Sequence, residues 1–320
     1  MKIATIIGAR PQFIKAAMVN KAIQKHNMEG ERPEIAEFIV HTGQHYDENM
    51  STIFFRELNI PEPNLNLGVG SGHHGKQTAQ MLILIEEVLL SMNPDWVLVY
   101  GDTNSTLAGA LAAAKLRIPI AHVEAGLRSF NREMPEEYNR VLTDHCSDLL
   151  FCPTQTAVQN LEHEGITKGV YLVGDVMCDS VIYNIKLSEK KSRILEKLNL
   201  KSKDYVLATI HRAENTDEPK KLKSIFNALG NIAQNGWHVI VPLHPRTRKF
   251  LDKSKIYPPN NLVLIDPVSY LDMLLLEKQA KIILTDSGGV QKEAYWPNNS
   301  NRFQLFQPIL SHSSKSHMGL

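Results

Sequence analysis

Short apolar runs recur along this chain, and nearly every one ends in a tight polar cluster. Lys2–Ile7, Ile35–His41, Trp96–Tyr100, Pro119–Val123, Leu149–Cys152 and Tyr171–Val173 read as strands buried on both faces. Between them lie stretches with helical patterning: Gln12–His26, Asn49–Leu58, the amphipathic Lys76–Met92, the alanine-rich Thr103–Lys115 and Gln155–His163. Pro11 suits the first helical position, where its missing N–H costs nothing. A long helical segment, Asp179–Leu198, runs into the charged Lys201–Asp204 and is the natural interdomain connection. A second series of strands follows: Tyr205–Ile210, His238–Val241, Leu262–Ile265 and Ile282–Leu284. Strands alternating with helices imply parallel sheets with right-handed crossovers. Two such series in tandem predict an α/β protein of two Rossmann-like domains facing a cleft, residues 1–177 and 178–295. The segment 296–320 is rich in Asn, Ser, His and Pro, breaks the alternation and reads as a poorly structured tail.

Ligands of doubly wound sheets sit outside the carboxyl ends of the strands, and the polar clusters fall there. The densest is Ala121–Arg140, where an apolar run is followed by Glu124, Arg128, Arg132, Glu133, Glu136, Glu137 and Arg140. Gly101-Asp102 closes the preceding strand. Clustered acids perturb one another, so one can stay protonated while another stays basic, as moving a proton at carbon requires. Salt bridges to the arginines explain part of the cluster, Glu133 and Glu137 foremost. Glu124, at the very end of a buried strand, is the least easily explained that way. Asp286-Ser287-Gly288-Gly289, between a strand and a helix, makes a turn able to cradle phosphate, or is a plain turn. Glu293, further along that helix, is placed to accept hydrogen bonds from ribose hydroxyls or is a solvated helix residue. Arg10 and Lys15 stand at the start of the first helix as candidate phosphate ligands.

Composition narrows the classes. With 320 residues, two domains are expected. Lys+Arg 35 against Asp+Glu 34 argues against a general nucleic-acid or anionic-membrane surface. Three cysteines without CxxC spacing suit reduced thiols in a cytoplasmic protein. The N-terminal apolar run breaks at Gly8-Ala9-Arg10, too early for a signal peptide, and Met81–Leu90 is split by Glu86-Glu87, so no membrane span is expected. His41/His45 has i,i+4 spacing but at a strand end rather than on a helix, and His73-His74 and His211/His244 have no cysteine nearby, so no metal site is expected; no nucleophile elbow or nicotinamide fingerprint occurs.

Taken as an ordered set, IIGARPQFIK (Ile6–Lys15), HTGQH, YGDTNSTLAGALAA, HVEAGLRS, MPEEYNR, FCPT, VGDV, HRAENTD, PLHPRTR and LTDSGGVQKEAY (Leu284–Tyr295) resemble the non-hydrolysing UDP-N-acetylglucosamine 2-epimerases. The resemblance implies the glycosyltransferase-B architecture and inversion at C2 of a UDP-linked 2-acetamido sugar without metal or other cofactor. It implies elimination of UDP, a glycal intermediate and re-addition, in a homodimer supplying surface polysaccharide precursors. Carried over, Asp102, Glu124 and Glu136 resemble the acid–base carboxylates, and His211 a cleft residue near diphosphate or sugar. Arg10, Lys15, Arg212 and His244 resemble substrate contacts, Ser287, Gly288 and Gly289 the diphosphate turn, and Glu293 the ribose ligand. Gln44 and His45 fall in a loop that, in bacterial members, lies near a second, activating substrate molecule. MPEEYNR and HRAENTD suit the subgroup acting on 2,3-diacetamido uronic acids. After Tyr295 the chain departs from the family as a frameshift or truncation would make it, so the second sheet is expected to lack its last strand or strands. A UDP-sugar transferase on the same fold and an inactive nucleotide-sugar-binding remnant are the competing readings.

Overall fold

The computed structural model describes residues 1–44, 62–255, 257–298 and 303–305. These cluster into two compact units that divide between Ser180 and Val181. The expected helix at Asn49–Leu58, and His45 beside it, lie outside the described residues.

In the first unit, strands β1 (Lys2–Ile7), β2 (Ala36–His41), β3 (Leu65–Asn66), β4 (Trp96–Tyr100), β5 (Ile120–Val123), β6 (Leu149–Cys152) and β7 (Val170–Leu172) form one sheet in the order β3-β2-β1-β4-β5-β6-β7. Every neighbouring pair is parallel. The strand order reverses between β1 and β4, which makes their carboxyl ends the topological switch point. The helix Asn104–Leu116 crosses directly over that point. Its alanines (Ala108, Ala110, Ala112 and Ala113) are fully buried against Ile6, Val97 and Val99, with Met81, Ile85 and Leu89 of the helix His74–Met92 completing the layer. Small residues bring this helix close to the sheet. A Cβ on Gly109 would stand 3.2 Å from Ile6 and Val99 side-chain atoms. Thr103 caps the helix, its hydroxyl accepting from the Thr106 N–H.

The second unit repeats the scheme. Strands β8 (Tyr205–Thr209), β9 (His238–Pro242), β10 (Val263–Ile265), β11 (Ile282–Thr285) and β12 (Phe303–Leu305) run parallel in the order β10-β9-β8-β11-β12. Its switch point lies between β8 and β11. Apolar side chains fill both faces: Leu222, Phe226 and Leu229 of the helix Pro219–Gln234 pack with Val206, Ala208 and Val239 on one, and Leu275 and Leu276 of the helix Tyr270–Gln279 with Leu207, Ile240 and Ile283 on the other.

Several elements differ from expectation, among them the strand Leu65–Asn66 and the helix Pro135–Cys146, which were not anticipated. The helical segment after residue 178 is divided, Val176–Lys191 and Ile194–Lys197, because Ser192 turns its hydroxyl to Asp272 and caps the second piece through the Ile194 N–H. Toward the C-terminus, the helix Gly288–Asn298 continues past Tyr295 and Phe303–Leu305 pairs with β11, so the segment assigned as unstructured tail supplies a strand on the edge expected to be bare.

Candidate active site

At the carboxyl end of β1, Ile7-Gly8-Ala9 turns into the helix Arg10–Met28. A Cβ on Gly8 would stand 2.1 Å from both Ser105 Oγ and Thr42 Oγ1, so the turn admits only glycine. Gln12 stitches the switch point together. Its Oε1 accepts from the Gly8 and Ala9 N–H groups at 2.8 and 2.9 Å, and its Nε2 donates to Tyr100 O and Thr106 Oγ1 at 2.7 and 2.9 Å. Arg10, exposed, opens the helix. Lys15, only 8% exposed, directs its ammonium to the Glu124 carboxylate.

Glu124 follows β5 with φ +72°, a left-handed backbone for a non-glycine residue, which costs on the order of 1–3 kcal/mol and is tolerated where the surroundings impose it. Gly101, with φ +63°, lies against the same pair: a Cβ there would be 3.4 Å from Glu124 Oε2 and 3.5 Å from Lys15 Nζ. Asp102 comes next. Its Oδ2 accepts from Arg140 Nε and Nη2 at 2.9 and 2.8 Å, and its carbonyl accepts from Asn139 Nδ2 at 2.8 Å. The structure thus brings Lys15, Gly101, Asp102 and Glu124 to one switch point.

The rest of the polar run divides sharply. Glu137 is structural. Burial opposes its ionisation, yet the Ser129 N–H and hydroxyl, the Phe130 N–H and the Arg140 guanidinium more than offset that and bring its carboxyl down to about 2. Arg128 forms a fork to Glu164 at 2.7 and 2.8 Å and reaches Asp144 Oδ2 at 2.7 Å. Glu133 was expected to salt-bridge. Among the described residues it and Arg132 form no ion pair, because the loop turns them both to solvent. Glu136, in the first turn of the helix Pro135–Cys146, is half-buried, and its carboxylate has no partner among the described residues. Two buried residues escaped the sequence reading, His122 and Asp144, joined at 2.7 Å. Gln44 accepts from the Ser105 N–H and hydroxyl at 3.1 and 2.6 Å.

The second unit's switch point is organised by Asp286, which is 4% exposed. Its carboxylate accepts from the His211 N–H at 2.9 Å, the Arg212 N–H at 3.2 Å and Asn215 Nδ2 at 2.8 Å, while its carbonyl accepts from Arg212 Nε at 2.8 Å. The ends of β8 and β11 are thereby locked to each other. Ser287 then leads into the helix Gly288–Asn298, whose first-turn N–H groups have no intrahelical acceptor. A Cβ on Gly288 would meet nothing within 4 Å, while the Ser287 N–H donates to Thr285 Oγ1 at 3.0 Å and the Val290 N–H to Ser287 Oγ at 3.4 Å. Glu293 is buried further along the helix. Behind it lies Glu277, 1% exposed, whose carboxyl is pushed well above its ordinary value first by burial and then by Glu293. His244, exposed, stands at the end of β9.

A family model described as UDP-N-acetylglucosamine 2-epimerase matches residues 28–299. The chain belongs to that family. A Methanococcus maripaludis protein named as a UDP-N-acetylglucosamine 2-epimerase homolog is 59% identical over 301 residues, which are 92% of this chain and 81% of the relative. UDP-2,3-diacetamido-2,3-dideoxy-D-glucuronate 2-epimerase of Pseudomonas aeruginosa is 53% identical over 300 residues with the same coverage. The crystal structure of the Methanocaldococcus jannaschii UDP-GlcNAc 2-epimerase with UDP-GlcNAc and UDP superposes with a TM-score of 0.81 at 48% identity, covering 93% of this chain and 82% of that one. The family and fold read from the motifs are borne out.

Proposed function

We propose that this chain inverts C2 of UDP-N-acetylglucosamine, or of a modified UDP-2-acetamido sugar, by eliminating UDP and adding it back. The observation that carries the reading is the switch point of the first unit, where Glu124 sits in a strained backbone against Lys15 beside the Gly101-Asp102 turn. The C2 proton of a sugar is barely acidic, so its removal needs a positioned base together with stabilisation of the departing diphosphate. Asp102, Glu124 and Glu136 are proposed to remove and return that proton, and His211 of the second unit is proposed as a further acid–base residue. In the first unit Arg10 and Lys15 are proposed as phosphate contacts; in the second, Arg212 and the turn Ser287, Gly288 and Gly289 are proposed for the diphosphate, Glu293 for the ribose and His244 for a further substrate contact. C2 is deprotonated as the C1–O bond to UDP breaks, which leaves a neutral glycal. Protonation of C2 on the opposite face, with return of UDP to C1, completes the inversion.

The related enzymes differ in the sugar they are named for, so both UDP-N-acetylglucosamine and the diacetamido uronic acid are candidate substrates. We also infer a homodimer from the family, and cytoplasmic residence from the three free thiols. Among the described residues no helix is long and apolar enough to cross a membrane. Chromatography of the UDP-sugar pool after incubation tests the reading. A second UDP-sugar epimeric at C2, at equilibrium with the first, supports it. UDP released only when an acceptor alcohol is present, with no epimer formed, contradicts it in favour of a transferase.

A further inference from the structure

Three consecutive carbonyls at the end of β4 are each held by a side chain from elsewhere. Tyr100 O accepts from Gln12 Nε2 and Thr106 Oγ1, both at 2.7 Å; Gly101 O from His122 Nε2 at 2.8 Å; and Asp102 O from Asn139 Nδ2 at 2.8 Å. His122 is fully buried in β5, two residues before Glu124. Its other nitrogen, Nδ1, lies 2.7 Å from Asp144 Oδ1. A backbone carbonyl can only accept, so the hydrogen on Nε2 is fixed. Asp144 is held ionised because His122 and Arg128, both hydrogen-bonded to it, outweigh the effect of its burial, and its Oδ2 already accepts from the Gly126 N–H and Arg128. Nε2 thus faces Gly101 O and Nδ1 faces the Asp144 carboxylate. One imidazole joins the turn that carries Asp102 to the strand that carries Glu124, and Asp144, Arg128 and Glu164 anchor it from behind.

We propose that His122 is a positioning residue for C2 proton transfer: its hydrogen bond to Gly101 O sets the placement of Asp102 relative to Glu124. The proposal rests on the epimerase reading. It does not require His122 to touch the substrate, and burial keeps the ring from doing so. A displacement of about 1 Å in a reacting group is enough to cost roughly 10²-fold in rate.

Two isosteric substitutions separate the bonds. His122→Gln places an amide nitrogen where Nε2 lies and can still donate to Gly101 O, whereas His122→Asn places it where Nδ1 lies and leaves that carbonyl without its donor. Turnover would be measured per UDP-binding site, counted by calorimetric titration with UDP, so that misfolded material does not register. The expected result is a fall in kcat of about 100-fold for His122→Asn and about 10-fold or less for His122→Gln, with KM for the UDP-sugar within about threefold of wild type in both. Wild-type kcat per site in His122→Asn, or equal losses in the two variants that follow only their melting temperatures, would overturn the proposal and leave His122 a packing residue. Absence of epimerisation by the wild-type protein would instead remove the reading on which it rests.

Discussion

Three acidic residues, two in the first unit and one in the second, are each held in a different way. Glu124 is held in a left-handed backbone with Lys15 against it. Its replacement by Gln keeps the shape and removes the base, so C2 proton exchange should fall by about 10³-fold, while UDP affinity measured by calorimetry changes little. Glu137 is held by four donors and ionises at about 2, below its ordinary 4.5. A depressed carboxyl stabilises the fold above its unfolded value and loses that contribution as pH falls toward the folded one. Glu137→Gln should therefore cost on the order of 1–3 kcal/mol at neutral pH in chemical denaturation, with the difference from wild type closing between about pH 4.5 and pH 2. Glu277 has the opposite sign. Its folded carboxyl is raised, so the stability it permits is complete below the unfolded value and is lost as pH climbs. Glu277→Gln should gain on wild type by up to about 1.4 kcal/mol per pH unit above that point, and a gap that fails to widen between pH 5 and pH 8 would show that burial does not hold this acid neutral. Glu124 and Asp102 stood out in the sequence as candidates because a carboxylate closing a buried strand has few structural uses. His122 was not: within an apolar strand it looks like one more inward residue, and its partner Asp144 lies mid-helix 22 positions away. Glu133 and Glu137 could not be told apart either, because a loop, not a periodicity, chooses which one turns inward.

At the scale of elements, many of the proposed site residues fall at strand ends, and neighbouring elements hold those ends in place. The turn after β1 tolerates no side chain at position 8. Gly8→Ala should force Ser105 and Thr42 apart, lowering the melting temperature by several degrees and epimerase activity along with it, and a variant with unchanged melting and turnover would mean the turn yields easily. In the second unit the carboxylate of Asp286 ties the end of β8 to that of β11. Asp286→Asn substitutes a donor for one acceptor oxygen, so UDP should bind about tenfold more weakly, near 1.4 kcal/mol, with little change in the rate of C2 exchange at saturating substrate. The strands other than Leu65–Asn66 and Phe303–Leu305, and the helices flanking the first unit's early strands, could be read from apolar runs, which set no bounds for the helices of the second unit. The break at Ser192 and the strand Phe303–Leu305 could not be read. The first depends on a hydroxyl meeting Asp272, 80 residues on, and the second on an edge offered by β11 to three residues in a polar stretch.

For the molecule as a whole, the same parallel architecture is used twice, with differently furnished switch points. The first switch point gathers carboxylates and a lysine; the second offers amides of a glycine turn with a buried glutamate along the same helix. Proton transfer at carbon and release of a nucleoside diphosphate are the two demands of elimination, and the proposed roles for both are spread over residues of the two units. Family membership supports that assignment without choosing the sugar, since relatives 53% and 48% identical are named for different substrates. Proton NMR of UDP-N-acetylglucosamine, and of its 2,3-diacetamido uronic acid counterpart, with the protein in deuterated water tests the central claim most directly. The account predicts deuterium at C2 of one of these sugars together with its C2 epimer. An unexchanged C2 proton in both, with UDP still bound by the protein, would contradict it.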